Sequence, residues 1–461
     1  MADNGIPLLE VGVLTRDRVR FRLEGTYRMT GKDLKLTGEA EARLSGGKIL
    51  LEAGAHSLKE GELLLVPEDP ERCRFLLREV VIGLGFHWQQ EEDQLFKGSL
   101  KLMITRDSLQ VVNVIPVEEY LVSVISSEMR GDSSPALLKA HTIISRSWLL
   151  AQIGKQRSLQ TGQPVKRSGS SGEALPVTSP GQQDETEWVR WYDREDHHDF
   201  HVCADDHCQR YQGMTRAVQP QVEQAVRETT GQVLVFGGAI CDARYSKCCG
   251  GVSETFGSCW EPVDHPYLQR VDDNPAELPV NQADLTVEAN AEAFIRDSPP
   301  AFCNTSDPQL LRQVLNDYDQ SSVDFYRWKV HYTQKELAGL IRENSGIDFG
   351  HILDLVPVER GASSRLIRLK IVGSLKEMIV GKELEIRRWL SPSHLYSSAF
   401  VVERGPLLQG IPGGFTLRGA GWGHGVGLCQ IGAAVMAHRG YSHIEILQHY
   451  FTGTNLETRY V

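Results

Sequence analysis

The sequence predicts an α+β protein, that is, a β-rich chain with a central pair of helices and several insertions. Short alternating or β-branched runs, such as LKLTGEAEARL and KLMITRDSLQVVNVI, predict strands through about the first 110 residues. Two segments with the apolar spacing of helices follow directly. A Gly-rich turn that leads into a helix lies near the end of the chain. The 461 residues are enough for two or three domains.

Composition and charge exclude several classes of protein. Lys and Arg number 49 against 60 Asp and Glu, and the resulting net charge of −11 argues against a nucleic-acid partner, whose binders normally carry a basic face. No run reaches the ~18 apolar residues of a membrane span, so we expect no transmembrane segment. The start, MADNGIPLLEVGVL, has neither a basic region nor a long apolar region and predicts no signal peptide.

Changes in composition along the chain predict its organisation. Residues 155–187 are polar, aperiodic and rich in Ser, Gly, Pro and Gln, which is typical of a mobile insertion. A His- and Cys-rich loop follows at 197–208. The predicted regions are an N-terminal β-rich region at 1–110, a core at 111–270 that contains both of these segments, a mixed insertion at 271–350, and the C-terminal part of the core at 351–461.

The two central helices are predicted from their first residues and their apolar spacing. Pro116 suits the first turn of the first helix, since its missing N–H costs nothing there. Apolar residues at i, i+4, i+7 and i+8 then form one stripe: Val117, Leu121, Val124 and Ile125. The second helix begins with Ser134 as a candidate N-cap before Pro135, and its sequence ALLKAHTIISRSWLLAQI predicts a mostly buried helix.

Three more helices are predicted in the second half of the chain. One includes QKELAGLIRENSG in the mixed insertion, and another follows the Gly-rich turn in GWGHGVGLCQIGAAVMAHRG and ends at Gly440. Ser442 and Glu445 have the spacing of a capping box, which predicts a last short helix.

Glu128 is the first candidate for chemistry. It lies seven residues after Leu121 and therefore continues the apolar stripe if the helix extends that far. A carboxyl at the end of such a stripe is partly desolvated, which raises its pKa and suits a general acid. The alternative from spacing alone is a solvated Glu at a helix terminus.

The cysteines suggest metal binding rather than a disulfide framework. Nine are present, and an odd number in a long chain is poor evidence for paired bridges. The stretch DHHDFHVCADDHC places several imidazoles and thiols within reach of one another, which suits tetrahedral zinc. Four protein ligands would make that site structural, because catalytic zinc keeps a position open. The alternative is a polar loop with incidental histidines.

Two glycine-containing motifs are also candidates. In YSKCCGG, a thiol lies beside Lys247 and a Gly pair. Either this environment activates the thiol as a nucleophile, or the segment is a strand end followed by a tight turn. In GWGHGVG, four glycines surround His424, and Trp422 has a ring that can stack on a sugar face. His424 is either a buried structural histidine or a site residue. The motif lacks the partners of a dinucleotide or phosphate loop.

Three stretches, in this order, resemble the SpoIID family, named for stage II sporulation protein D and including the amidase enhancer. They are VVNVIPVEEYLVSVISSEM with PALLKAHTIISRSWLLA, then ARYSKCCGGVSETFGSCW, and finally GAGWGHGVGLCQIGAAVMAHRGYSHIEILQHYFTGTNL. The resemblance implies a lytic transglycosylase that cleaves peptidoglycan glycan strands between N-acetylmuramic acid and N-acetylglucosamine, preferring strands stripped of peptide. It also implies a peptidoglycan amidase as a second partner and an extracytoplasmic or cell-envelope location, which the absence of a predicted signal peptide contradicts.

The resemblance also implies roles for particular residues. The family's catalytic glutamate lies in an SEM-type motif, which corresponds to Glu128. Some members bind zinc just after the helices, and the best ligand set here is His197, Cys203, His207 and Cys208, with His198 and His201 as alternatives for the first. The candidates for positioning the glycan are Arg146, Trp422 and His424. Cys248 and Cys249 stand where the family has hydroxyl residues, which is a departure from its pattern.

Two other classes of function are compatible with the same residues. The first is a non-catalytic peptidoglycan binder that stimulates an amidase. The second is a thiol hydrolase that uses Cys248 or Cys249 with His424. Retention of Glu128 in its motif disfavours the first alternative. The absence of an acidic residue near His424 in the sequence disfavours the second.

Overall fold

The chain forms two compact units, each assembled from separate segments. A computed structural model describes residues 5–82, 90–130, 132–161, 182–183, 186–192, 197–205, 208–215, 219–275, 281–315 and 324–461. Unit 1 contains Met1–Arg146, Glu195–Gln232 and Thr458–Val461. Unit 2 contains Ser147–Arg194 and Val233–Glu457.

Both strands and helices are abundant, which confirms the α+β prediction for a β-rich chain. The strands are β1 Leu8–Arg16, β2 Arg18–Met29, β3 Lys35–Ser45, β4 Lys48–Ala53, β5 His56–Glu60, β6 Glu62–Pro67, β7 Arg74–Ile82, β8 Gln90–Phe96, β9 Ser99–Thr105, β10 Ser108–Pro116, β11 Gln182–Gln183, β12 Glu187–Val189, β13 Val202–Cys203, β14 Gln232–Phe236, β15 Ala239–Ile240, β16 Tyr245–Ser246, β17 Arg327–Thr333, β18 Ile352–Arg360, β19 Leu366–Gly373, β20 Glu377–Gly381, β21 Phe400–Arg404, β22 Leu407–Leu408, β23 Ile411–Pro412, β24 Gly414–Ala420, β25 Leu428–Cys429 and β26 Asn455–Thr458. The helices are α1 Val117–Glu128, α2 Pro135–Thr161, α3 Pro220–Glu228, α4 Phe256–Cys259, α5 Glu288–Asp297, α6 Pro308–Val314, α7 Gln334–Ser345, α8 Glu383–Trp389, α9 Gln430–His438 and α10 His443–Tyr450. Within the described ranges, no helix is both long enough and apolar enough to cross a membrane.

Unit 1 is organised around one eleven-stranded sheet. The main path runs β13-β1-β10-β9-β6-β2-β3-β4-β5, and β7 pairs with β2 and with β8. Side chains along β2 alternate between buried and more exposed, as expected when one face of a sheet covers a core. Phe75 and Phe96 stack in that core with ring centroids 5.3 Å apart. The edge strand β13 pairs in parallel with β1 and carries Cys203, so the sheet positions the start of a candidate metal site.

Helices lie where the two apolar segments predicted them. Pro116 directly precedes α1, and the whole predicted stripe along α1 is fully buried. Helix α2 begins at Pro135 and extends to Thr161, beyond the start of the polar segment predicted as an insertion at 155. Lys155 and Gln156 are good helix formers, and they continue a helix that has already begun.

Unit 2 contains a five-stranded sheet and several smaller ones. The larger sheet has the order β11-β12-β20-β19-β18, and a three-stranded sheet has the order β17-β24-β21. Trp389 is fully buried in a hydrophobic core with residues of both sheets. The capping box predicted at Ser442 and Glu445 is present at the start of α10, and α9 ends just before Gly440 as predicted. Helix α7 matches the predicted helix around QKELAGLIRENSG.

Candidate functional site

Glu128 is the last residue of α1, at the point where the chain leaves the helix. Met129 takes an extended conformation, and its N–H bonds the carbonyl of Ile125 at 2.9 Å. Leu121 and Ile125 are fully buried, whereas the Glu128 side chain is partly exposed. The geometry therefore places a partly exposed carboxyl group at the end of a buried apolar helix, where it can meet a ligand.

Arg146 has a different environment from the one expected of a glycan-positioning residue. Its guanidinium donates to both carboxylate oxygens of Glu118 at 2.9 and 2.6 Å, and to the carbonyl of Gln232 at 3.1 Å. Tyr460 and the N–H of Gly231 also donate to Glu118. Because the Arg146 side chain is 0% exposed, its contacts are those of a buried bidentate ion pair that joins segments of unit 1.

Three of the four predicted zinc ligands in unit 1 form a compact cluster. The ligand atoms of His197, Cys203 and Cys208 all lie within 4.8 Å of one another. Nε2 of His197 is 3.5 Å from Sγ of Cys208, and the N–H of Cys203 donates to the same sulfur at 3.4 Å. These donors are the types that zinc prefers, and their spacing fits one tetrahedral ion. The fourth predicted ligand, His207, lies outside the described residues.

The structure also separates the alternative histidines. The side chain of His198 is exposed. Nδ1 of His201 accepts the N–H of Glu10 at 3.0 Å, and the N–H of His201 donates to the carbonyl of Glu10 at 2.9 Å. His201 therefore attaches the loop to β1, and His197 is the histidine that lies with the cysteines.

The GWGHGVG motif of unit 2 forms a turn of alternating glycines, all with positive φ. A Cβ at Gly425 would lie 2.4 Å from the guanidinium carbon of Arg365, and hydrogen bonds to Gly423, Cys249 and Ser363 hold that guanidinium in place, so this close approach favours glycine. Trp422 stacks on Phe325 with ring centroids 4.8 Å apart and meets the edge of Tyr396 at 5.2 Å. Only part of the Trp422 ring is therefore available to a sugar.

His424 is held in place by its neighbours in unit 2. Its Nδ1 accepts the N–H of Val426 at 3.0 Å, and its ring lies 4.9 Å from that of Trp260. Burial, followed by the positive charges of Arg244 and Arg365, lowers the pKa of His424 well below its usual value. The neutral imidazole is therefore the form that the folded protein favours.

We expect this pKa to make the protein less stable in mild acid. The unfolded chain protonates His424 near pH 6.5, and the folded protein does not, so the unfolded state binds more protons below that pH. The free energy of unfolding should fall as the pH drops below 6.5, by at most about 1.4 kcal/mol per pH unit from this residue. His424→Gln keeps an acceptor for Val426 and should reduce the slope, as measured by urea unfolding across the pH range. If the free energy of unfolding of this variant depended on pH as strongly as that of the wild type, the lowered pKa of His424 would not be the cause.

Cys249 belongs to a buried cluster of unit 2 that the sequence did not reveal, and the Cys248 thiol lies beside this cluster, hydrogen-bonded to Cys303 and Cys429. Ligand atoms of Cys249, Asp273, Cys303 and Cys429 all lie within 4.8 Å of one another. Burial raises the pKa of Asp273 to about 7. Burial also raises the pKa of Cys249, whereas hydrogen bonds from neighbouring thiols outweigh burial and lower the pKa of Cys429. The sequence offered no signal for this cluster, because its members are far apart in the chain.

The buried thiols have a consequence for the thiol-hydrolase alternative. Cys248 is 0% exposed and Cys249 is 2% exposed. Sγ of Cys249 lies 3.6 Å from Sγ of Cys303. A nucleophilic thiol must be accessible to its substrate and carry a lowered pKa, and burial raises the pKa of both thiols.

Comparisons with known proteins match two parts of the chain. The model of the stage II sporulation protein family SpoIID matches residues 105–236, and a domain of unknown function matches residues 254–427. Stage II sporulation protein D of Bacillus amyloliquefaciens is 22% identical over 369 residues, which cover 79% of this chain and 81% of that protein. An uncharacterised protein of Brachyspira hyodysenteriae is 22% identical over 361 residues, covering 78% of this chain and 72% of that protein.

A second named relative points to the same family. The amidase enhancer of Bacillus subtilis (strain 168) is 24% identical over 262 residues, which cover 50% of this chain and 32% of that protein. The segment matched by the SpoIID model contains α1, α2 and the His197, Cys203 and Cys208 cluster. The family model over residues 105–236 and the named relatives together support the SpoIID family for this chain.

Proposed function

We propose that this protein is a peptidoglycan lytic transglycosylase with Glu128 as its catalytic residue. The observation that supports it most directly is the partly exposed Glu128 at the end of a buried helix, inside the segment matched by the SpoIID model. Its substrate is the glycan strand, preferably stripped of peptide, and the bond cleaved joins N-acetylmuramic acid to N-acetylglucosamine. Relatives named for sporulation and for amidase enhancement support a role at the cell wall.

The proposed reaction needs one acid group. Glu128 gives its proton to the glycosidic oxygen as the bond from C1 to that oxygen breaks. The C6 hydroxyl of the same muramic acid then bonds to C1, and the Glu128 carboxylate takes the hydroxyl proton. The products are a 1,6-anhydro-muramyl end and a free N-acetylglucosamine hydroxyl, and the carboxyl group is restored. Ordinary glycosidases need a second carboxyl because water or the enzyme attacks C1, whereas here the sugar supplies its own nucleophile.

Trp422 and His424 are proposed glycan-binding residues of unit 2. The exposed part of the Trp422 ring offers an apolar surface to a sugar face. His424 is partly exposed, its Nδ1 accepts the N–H of Val426, and the backbone of Tyr245 also bonds its ring, so it would contact a sugar through the exposed part of the ring. Arg146 is not part of this proposal, because its guanidinium is fully buried against Glu118.

The experiment that tests this function is mass spectrometry of digested glycan strands. Purified protein is incubated with native strands and with strands from which the peptides have been removed. We expect products with 1,6-anhydro-muramyl ends, formed faster from the stripped strands. Products with free reducing muramic acid would show that water is the nucleophile and would contradict the proposal.

A non-catalytic amidase enhancer is the second candidate, favoured by the match to a relative of that name. It predicts no glycan products from either strand preparation. It also predicts that the protein speeds the reaction of an added peptidoglycan amidase. A thiol hydrolase would instead release peptide from the strands, and the burial of Cys248 and Cys249 argues against it. The same digest therefore distinguishes all three functions.

We also propose a structural zinc ion bound by His197, Cys203 and Cys208, with His207 as the fourth ligand. The ligand atoms fit one tetrahedral ion, and four protein ligands leave no open position for substrate. Zinc would hold the loop beside β13, where Phe200 already packs closely against Gly12 of β1.

Loss of this zinc should affect stability more than catalysis. Cys203→Ser with Cys208→Ser removes both thiolates, and we expect the variant to lose one zinc per chain and to melt at a lower temperature. Activity per folded molecule should stay within a few fold of wild type, because zinc polarises no substrate. Elemental analysis and thermal unfolding measure both effects. A well-folded wild-type protein without zinc would contradict the site.

A further inference from the structure

The cluster in unit 2 brings together three thiols and one carboxyl group in a closed space. The members are Cys249, Asp273, Cys303 and Cys429, and each is at most 2% exposed. A tetrahedral ion with metal–sulfur bonds of about 2.3 Å requires sulfur atoms about 3.8 Å apart. The mutual distances here, all within 4.8 Å, match one ion and are too short for the corners of a four-iron cluster.

Four separate segments of unit 2 supply the ligands. Cys249 follows β16, at the start of a turn in which Gly250 and Gly251 have positive φ. Cys429 lies in β25, which pairs with β16, and it also caps the start of α9. Asp273 and Cys303 lie in loops on either side of α5. The cluster thus joins segments that are widely separated in sequence, as structural metal sites commonly do.

Hydrogen bonds already orient the ligands as if for a metal. Sγ of Cys429 accepts the N–H of Cys249 at 3.2 Å and that of Gly432 at 3.4 Å, an environment that stabilises a thiolate. Tyr450 donates to one oxygen of Asp273 at 2.6 Å, and the N–H of Cys303 donates to the other at 2.8 Å. Such partners fix the orientation of ligating carboxylates in known metal sites.

Gly432 shows how closely the structure is built around Asp273. A Cβ at this position would lie 2.4 Å from Oδ1 of Asp273 and 2.3 Å from the hydroxyl of Tyr450. The first turn of α9 can therefore approach the carboxylate only with glycine at this place.

We propose that Cys249, Asp273, Cys303 and Cys429 form a second metal site, which binds one structural zinc ion in unit 2. Three thiolates favour a borderline-soft ion that accepts tetrahedral geometry, and the carboxylate completes the set. The site has no open position, so its function is to stabilise unit 2. It is independent of the proposed glycan cleavage and of the cluster at His197.

Zinc content and X-ray absorption at the zinc edge test this site in the full chain. Wild-type protein, purified without added metal or chelator, should contain about two zinc ions per chain. Cys203→Ser with Cys208→Ser should retain one, with a spectrum of three sulfurs and one oxygen and no imidazole. Adding Cys303→Ser should remove it. Cys241→Ser is the matched control, because it also changes a fully buried thiol of unit 2 and should leave the zinc content unchanged.

Several outcomes would overturn the proposal. One is a folded Cys203→Ser and Cys208→Ser protein without zinc, and another is imidazole in the spectrum of the ion it retains. A disulfide between Cys249 and Cys303, found by peptide mapping under non-reducing conditions, would also exclude the site. If the Cys303→Ser protein does not fold, Asp273→Asn serves instead, since it keeps all thiols and should change the ligand count or lose the ion.

Discussion

Glu128→Gln is expected to lower the rate of glycan-strand cleavage by about 10²–10⁴-fold. The amide has nearly the size and shape of the carboxyl group, but it can neither give a proton to the glycosidic oxygen nor take one from the C6 hydroxyl. Binding of intact strands should persist, because the amide still donates and accepts hydrogen bonds. Release of anhydro-muramyl products, measured by mass spectrometry, gives the rate, and co-sedimentation with strands gives the binding.

Glu119→Gln is the matched control on the same helix. Its carboxylate forms a surface ion pair with Lys97 at 2.9 Å, and such pairs contribute about 0–1 kcal/mol to stability. We expect near wild-type cleavage from this variant. If Glu128→Gln also released anhydro-muramyl ends at the wild-type rate, another group would have to be the acid.

Arg146→Met should lower the free energy of unfolding by about 3–5 kcal/mol. The substitution leaves the Glu118 carboxylate, only 12% exposed, without its buried partner. It also removes the donor to the carbonyl of Gln232. The result is an uncompensated buried charge. Urea unfolding at neutral pH measures the resulting loss of stability.

The double variant Glu118→Gln with Arg146→Met separates this structural role from a role in binding glycan. The neutral amide can still accept from Tyr460 and from the N–H of Gly231, so the double variant should regain part of the lost stability. If Arg146 positioned glycan instead, Arg146→Met would keep its stability and raise KM for strands. A loss of stability would indicate the structural role, and a raised KM with unchanged stability would indicate the glycan-binding role.

Much of the local structure could be predicted from the sequence. Pro116 precedes α1, and Gly440 follows α9, because each acts on the backbone of its own turn. The capping box of Ser442 and Glu445 forms for the same reason, since both hydrogen bonds join groups three residues apart. The position of Glu128 at the end of α1 follows from the apolar stripe, and its match to a family motif identified it as the candidate acid.

For the cluster at His197, the sequence predicted the thiols but left open which histidine lies with them. Its thiols lie close together in the chain, so a short loop can bring them together, and composition alone indicated the proposed zinc site. Which histidine completes it depended on β1, because the backbone of Glu10 binds His201 and leaves His197 beside Cys208. That choice is made by sheet pairing, which the spacing of histidines does not encode.

The sequence by itself determined the α+β class and the helices with their caps, because these depend on interactions between residues close in the chain. It also indicated the candidate acid Glu128, through its match to a family motif. Only the tertiary structure decided which distant groups meet. It paired Arg146 with Glu118 in a buried contact, and it gathered Cys249, Asp273, Cys303 and Cys429 around one point. Those contacts form when core packing brings distant segments of the chain together. The spacing of residues along the chain does not show which segments will meet.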